Sequence, residues 1–278
     1  MKDLRGTIAI ITGAGSGIGR ELAMGLAGEG CRLALADIDG LGLEETERLV
    51  RARGGEAAGW RVDVSSRQEV YAFAEKVIGH FGAAHILINN AGVVFTATID
   101  QLSYEDFERV MNINFWGAVY GTKAFLGQLK KQEAAHIVNM SSVYGLWALQ
   151  TQAAYNASKF ALRGFTEALQ QEMRGTGVTV SCVFPGGVKT NLVRNSGSRL
   201  FEVDAGRKEE FATTFDAAAM TSPRKAARVI ITGIRKNRTR IRIGPDAFLF
   251  DITQRLFPAA YHKLSPIVIR KMGLENMV

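Results

Sequence analysis

"TIAIITGAGSGIGRELAMGL", residues 7–26, joins an apolar β-branched run to a glycine cluster and then to apolar residues at helical spacing. Strand, tight turn and helix are expected in that order. Gly13, Gly17 and Gly19 let the backbone turn sharply, approach a ligand closely and pack the helix onto the strand. The helix N-terminus adds free N–H groups and the positive end of a dipole. Gly13, Ser16, Gly17, Ile18 and Gly19 are therefore candidates for holding a pyrophosphate. The spacing departs from GxGxxG, because Ile18 stands where the third glycine falls. Alone, such a cluster also reads as nothing more than a close strand-to-helix turn.

Moving outward, the same alternation continues. Residues 7–12, 32–37, 57–62, 85–90, 136–141, 178–184 and 240–244 read as strands. Between them, 17–29, 43–53, 66–80, 104–131, 152–174 and 223–236 carry apolar residues at intervals of three and four. Most strands are apolar throughout, as expected where helices cover both faces of a parallel sheet. The expectation is an α/β fold, a single-domain Rossmann-type doubly wound parallel sheet of about seven strands, with ligands at the strands' carboxyl ends. Residues 1–246 form the binding and catalytic unit in this reading. Within it, 188–222 is irregular in period and suits a substrate loop or a pair of short helices, and 247–278 is a basic amphipathic extension.

The second strand ends at Asp37, the right distance from the glycines for a carboxylate that accepts ribose hydroxyls. A 2′-phosphate there is repelled, and the following "IDG" offers no arginine to receive it. NAD is favoured over NADP on this ground.

"YNASK" (155–159) places Tyr155 and Lys159 four residues apart, on one helix face, with small residues between them. At roughly 4 Å and an effective dielectric near 20, a cation stabilises a phenolate by about 4 kcal/mol, roughly three pKa units. Desolvation opposes this, and the expected net direction is a phenol made more acidic by the ammonium. Thirteen residues earlier, "NMSSVYG" (139–145) puts Ser142 just past a strand end on the same rim, where its hydroxyl can bond a substrate oxygen.

Taken together, these residues resemble the short-chain dehydrogenase/reductase family, in its branch with a TGxxxGxG cofactor loop and a YxxxK active site. The resemblance rests on "TGAGSGIG" (12–19), Asp37, "DV" (63–64), "NNAG" (89–92), "NINFWG" (112–117), "SS" (141–142), "YNASK" (155–159) and "PGGVKT" (185–190), and covers residues 7 to about 190. It implies that Tyr155 is the general acid/base, Lys159 its tuner and ribose anchor, and Ser142 the substrate-oxygen stabiliser. It further implies that Asn114 holds a water relaying protons from Lys159. Asp63 and Val64 meet the adenine, Asn90 borders the cofactor, and Pro185, Val188 and Thr190 flank the nicotinamide. The family usually assembles as homodimers or homotetramers.

Composition narrows the setting. Hydrophobic residues make up 47% and charged residues 22%, which excludes a disordered chain. The apolar run near the start is too short for a signal segment, and no stretch of 18 apolar residues exists to span a bilayer. Cys31 and Cys182 lie in apolar runs without CxxC spacing, so free thiols and a reducing, cytoplasmic setting are expected. His80, His85, His136 and His262 show no metal-ligand spacing, and no metal is expected.

The net charge of +7 is uneven: from Pro223 onward, twelve Lys/Arg face three Asp/Glu. Residues 247–273 interleave apolar residues with Arg255, Lys263, Arg270 and Lys271. A cover for a subunit interface or for the pocket is the favoured reading, with peripheral contact to an anionic membrane surface behind it. Arg238, Arg240 and Arg242 fit the polar face of an edge strand, and nothing suggests nucleic-acid binding. Val94, Phe95, Val143, Tyr144, Trp147 and Leu149 are expected to border the reacting carbon, which points to an apolar small-molecule substrate; Arg194 and Arg199 are the cations available to an anionic substrate tail. The leading reading is an NAD-dependent enzyme that exchanges a hydride with a lipophilic secondary alcohol or ketone. Its rivals are a cofactor-binding redox sensor without turnover and a peripheral membrane-associated lipid-binding protein.

Overall fold

The apolar run that opens the chain lies inside a parallel sheet with helices on both sides. The computed structural model describes residues 1–192, 194–195, 197–199, 205–264, 266 and 270. From β1 (Ile8–Thr12) the chain passes through the glycine turn into α1 (Gly17–Gly28). It continues through β2 (Arg32–Asp37), α2 (Gly40–Arg51), β3 (Ala57–Arg61), α3 (Arg67–Phe81) and β4 (Ile86–Asn89). A two-residue strand, β5 (Phe95–Thr96), precedes α4 (Tyr104–Met111), a π-helical turn (Asn112–Trp116) and α5 (Gly117–Leu129). Then come β6 (Ala135–Met140), α6 (Ala153–Glu172), β7 (Val178–Pro185) and the short β8 (Gly197–Ser198), which pairs with β5. The remaining labelled elements are α7 (Ala205–Ala218), α8 (Pro223–Arg235), β9 (Arg240–Ile243) and α9 (Pro245–Leu256).

The main sheet has the order β3-β2-β1-β4-β6-β7-β9, with every pairing parallel. Strand order reverses between β1 and β4, which opens a crevice at their carboxyl ends beside the glycine turn. Ile10 and Ile11 show why the central strands carry no polar face: both are fully buried, Ile10 against the layer of α3, α5 and α6, Ile11 against that of α1, α2 and α8. Each such side chain contributes roughly 1.5–3 kcal/mol by leaving water.

Helix starts follow their caps. Asp39, Ser66, Ser103 and Ser222 each accept a backbone N–H from the first turn of α2, α3, α4 and α8. Two elements differ from expectation. The single helix expected over 104–131 carries a π turn at Asn112–Trp116, a one-residue irregularity that hydrophobic spacing does not register. The irregular stretch 188–222 contains the 14-residue α7, and residues 193, 196 and 200–204 of it lie outside the described residues. So do 265, 267–269 and 271–278 of the expected extension, whose first part is α9.

Both cysteines are buried free thiols. Among the described residues no helix is long and apolar enough to cross a membrane.

Candidate active site

A cavity of about 1180 Å³ runs along the carboxyl ends of the strands. At one end lies the glycine turn. Gly13 and Gly17 have φ of +65° and +53°, conformations that glycine adopts without strain. A Cβ on Gly19 would fall 1.9 Å from the Gly13 carbonyl oxygen, so only glycine lets α1 close onto the turn. Ser16 caps α1 in extended conformation without a side-chain hydrogen bond, leaving the first-turn N–H groups free of any side-chain cap. Gly13, Ser16, Gly17 and Ile18 all line the cavity. This arrangement fits a pyrophosphate.

Asp37 lines the cavity too, and is held rather than free: Gly15 N–H donates to Oδ2 (2.7 Å) and Asp39 N–H to Oδ1 (3.0 Å). Arg61, its cross-strand partner, donates to the Ile38 carbonyl (3.1 Å) and does not line the cavity. Asp63 and Val64 form the neighbouring wall, with Asp63 Oδ1 accepting from the Ser65 backbone and hydroxyl. Asn90 acts as a bracket, its Nδ2 donating to the carbonyls of Thr12 and Gly13 (3.0 Å each). Thr12 Oγ1 returns the tie by accepting from Asn90 and Ala91 N–H (3.1 Å each). Thr12 was not singled out in the sequence, where a strand-end threonine carries no distinguishing pattern.

At the other end, Tyr155 and Lys159 project from α6 and Ser142 from the turn after β6; all three line the cavity. The small residues between Tyr155 and Lys159 have a packing reason: Asn156 and Ser158 are buried, bonding the Leu149 and Tyr155 carbonyls. Gly145 has one as well, since a Cβ there would meet Ser141 Oγ at 2.3 Å and the Lys159 carbonyl oxygen at 2.8 Å.

The electrostatics reverse one expectation. Burial pushes the Tyr155 phenol up to about 12, with the Ser142 hydroxyl opposing it by hydrogen bonding. Burial likewise lowers the Lys159 ammonium to about 8. Lys159 Nζ donates to the Met140 carbonyl (2.9 Å) and stands 5.4 Å from the Tyr155 ring centroid. Desolvation therefore outweighs the attraction on which an acidified phenol depends, and the phenol holds its proton more firmly than in water.

Asn114 lies in the π turn, 1% exposed, and does not line the cavity. Its carboxamide accepts from Val93 N–H (2.8 Å) and donates to the Val93 carbonyl (2.9 Å) and Ser158 Oγ (3.0 Å). A Cβ on Gly92 would sit 3.1 Å from Asn114 Oδ1 and 3.4 Å from Lys159 Nζ, so a bare backbone separates the two. Pro185, Val188 and Thr190 line the cavity beyond β7.

Of the residues expected around the reacting carbon, Val94, Val143, Tyr144 and Leu149 line the cavity. Phe95 and Trp147 do not. Phe95 packs with Val110 and Ala154, and Trp147 makes tilted ring contacts with Phe250 and Tyr261 at centroid distances of 4.9 and 4.7 Å. The wall is completed by Leu192, Phe215 and Met220 of the expected substrate loop and by Leu249 and Phe250 of the expected extension, residues that the sequence did not single out. Arg194 pairs with Glu209 and Asp216, and Arg199 with Asp106 (2.8 Å), so both are engaged within the protein. Glu105, Glu108 and Arg109 also line the cavity.

The glycine turn, the Asp37 carboxylate and a buried phenol with a hydroxyl partner all lie on one cavity, an arrangement that fits a dinucleotide-dependent oxidoreductase. The profile of the short chain dehydrogenase family matches residues 7–200, and the chain belongs to that family. It is 43% identical over 267 residues to SadH of Mycobacterium tuberculosis, whose name places it among oxidoreductases, covering 95% of each chain. Estradiol 17-beta-dehydrogenase 11 of Rattus norvegicus is 32% identical over 263 residues, covering 94% of this chain and 83% of that one. Among solved structures, a short chain dehydrogenase/reductase from Burkholderia phymatum in complex with NAD superposes with a TM-score of 0.86 at 30% identity, covering 94% of this chain and 97% of that one.

Proposed function

We propose that the chain is an NAD-dependent dehydrogenase that interconverts a lipophilic secondary alcohol and its ketone. The observation that carries the reading is that Tyr155 and Ser142 face the same cavity as the glycine turn and Asp37. When bound, the dinucleotide supplies the acceptor or donor of the hydride at the carbinol carbon, and its oxidised ring brings a positive charge. Gly13, Ser16, Gly17 and Ile18 hold its pyrophosphate, with Gly19 letting α1 close behind them; Asp63 and Val64 meet its adenine, and Asn90 borders the cofactor. Pro185, Val188 and Thr190 flank its nicotinamide. Asp37 accepts the ribose hydroxyls and repels a 2′-phosphate, and the engagement of Arg61 with Ile38 supports NAD over NADP.

In the reducing direction Tyr155 donates its proton to the substrate oxygen while Ser142 hydrogen-bonds that oxygen. In oxidation Tyr155 takes the proton back. Lys159 anchors the ribose and, with Asn114 ordering a water, returns protons to solvent. A phenol raised by burial suits the donor role at neutral pH. The largely apolar wall, with Arg194 and Arg199 both paired, supports an uncharged lipophilic substrate. The name of the estradiol dehydrogenase relative agrees with a substrate of that kind. We assign the exposed apolar stripe of α9 to contact between copies in a homo-oligomer, and the two free thiols to a reducing, cytoplasmic setting.

Secondary alcohols of graded size and polarity, screened by NADH absorbance with NADP in parallel, test the reading. Turnover that increases with apolar bulk and prefers NAD is expected. Turnover confined to small polar or carboxylated alcohols contradicts it.

A further inference from the structure

Asp246 stands in the first turn of α9, but its carboxylate reaches away from its own helix to the turn that follows β7. The Gly187 N–H donates to Asp246 Oδ2 at 2.6 Å. Around this bond there is no room for a side chain. A Cβ on Gly186 would lie 2.1 Å from both carboxylate oxygens, and one on Gly244 would lie 2.3 Å from Oδ1. Neither Gly186 nor Gly187 has a positive φ, so what glycine supplies at 186 is space for the carboxylate and not an unusual backbone conformation.

The same turn is tied at its other groups by backbone alone. Gly186 N–H donates to the Ile243 carbonyl (2.9 Å), Thr221 N–H to that of Gly187 (3.3 Å) and Lys189 N–H to that of Thr221 (3.0 Å). Asp246 is thus the one side chain among the described residues that hydrogen-bonds the Gly186–Gly187 backbone. It is also placed to matter for substrate. Asp246 lines the cavity with Leu249 and Phe250 of the same helix, and its charge is one cause of the rise of the buried Tyr144 phenol, behind desolvation and the neighbouring Tyr155.

We propose that Asp246 is a positioning residue, a strut that fixes the Gly186–Gly187 turn and through it the Val188 segment, while locking the substrate wall of α9 to the same point. The inference rests on the reading above that Pro185, Val188 and Thr190 flank the nicotinamide.

The test is a double-mutant cycle with Asp246→Ala and Gly186→Ala, reading kcat for the alcohol and the Kd for NADH by fluorescence. Either single change is expected to lower kcat and weaken NADH by about tenfold or more, the scale of losing a charge-assisted hydrogen bond at a partly buried site. In the double variant the added methyl occupies the space the carboxylate leaves, so its loss should be no greater than that of the worse single. Wild-type kcat and Kd in folded Asp246→Ala overturn the proposal, as do losses that multiply in the double variant. A cap that only stabilises α9 lowers the thermal midpoint and leaves both readouts unchanged. Should Asp246→Ala fail to fold, Asp246→Asn decides: its carboxamide oxygen still accepts from Gly187, so kcat within about threefold of wild type is expected, and a loss as large as that of Gly186→Ala overturns the strut. If the wild-type protein oxidises no alcohol with either cofactor, the proposed function fails, and the NADH-binding arm still decides the role of Asp246.

Discussion

At the scale of single residues, proton affinity is where sequence and structure part. The helical spacing of Tyr155 and Lys159 is legible in the chain, as is the position of Ser142 past a strand end. Burial is not legible there, because it depends on elements far away in sequence, and burial sets the outcome. Tyr155 is pushed up to about 12 and Lys159 down to about 8. Alcohol oxidation needs the phenol deprotonated, so its kcat/KM should climb by up to about tenfold per pH unit across the alkaline range, while ketone reduction stays nearly level at and below neutral pH. Stopped-flow rates over pH 6–10 check this; a flat oxidation profile is the contrary result. Asp37 offers a second prediction. Asp37→Ala removes the charge facing the ribose and should raise the NADP-to-NAD ratio of kcat/KM by about tenfold or more, measured by initial rates with each cofactor; an unchanged ratio denies Asp37 the discriminating role.

At the scale of elements, the central strands were legible because a sheet covered on both faces demands apolar residues at every position, and the helices because their apolar residues recur at three and four. The π turn around Asn114 was not, since one extra residue in a helix leaves the apolar spacing nearly intact. The substrate loop and the extension were legible as segments that cover the pocket, but not which of their residues, such as Phe215, Leu249 and Phe250, line it, since that depends on where the chain returns after β7 and β9. α9 also carries Phe248, Ile252 and Leu256 exposed to solvent along one side, with Phe257 exposed just past its end. Spacings of four residues align 248, 252 and 256. Ile252→Asp with Leu256→Asp should shift the sedimentation coefficient toward a smaller species and leave vesicle binding absent in both forms. Binding of the wild-type chain to anionic vesicles, lost in this variant without a change in sedimentation, assigns the stripe to a membrane surface instead.

For the whole molecule, buried titrating groups set the dependence of stability on pH. Burial holds His136 down at about 3, below its usual 6.5, with Nε2 bonded to Ser181 Oγ (2.7 Å). Between those values the unfolded chain takes up a proton that the folded one refuses, so this residue's contribution is present above pH 6.5 and is lost as pH falls toward 3. Urea unfolding at pH 7 and pH 4 should show the wild type losing more stability than His136→Gln, by on the order of a few kcal/mol; equal losses contradict a neutral buried imidazole. Lys159 acts in the alkaline range. Its folded value of about 8 lies below the usual 10.5, so its contribution grows as pH rises between them. Tyr155, raised from 10 to about 12, takes stability away above pH 10.

In the proposed reaction the Tyr155 hydroxyl exchanges the proton while a dinucleotide in the same cavity exchanges the hydride. Tyr155→Phe removes that oxygen and keeps the ring, and NADH titration alongside single-turnover reduction of a ketone substrate reads both halves at once. NADH affinity within about threefold of wild type and hydride transfer slowed by about 10²–10⁴ are expected. Hydride transfer at the wild-type rate in a variant that still binds NADH would contradict the proposed reaction.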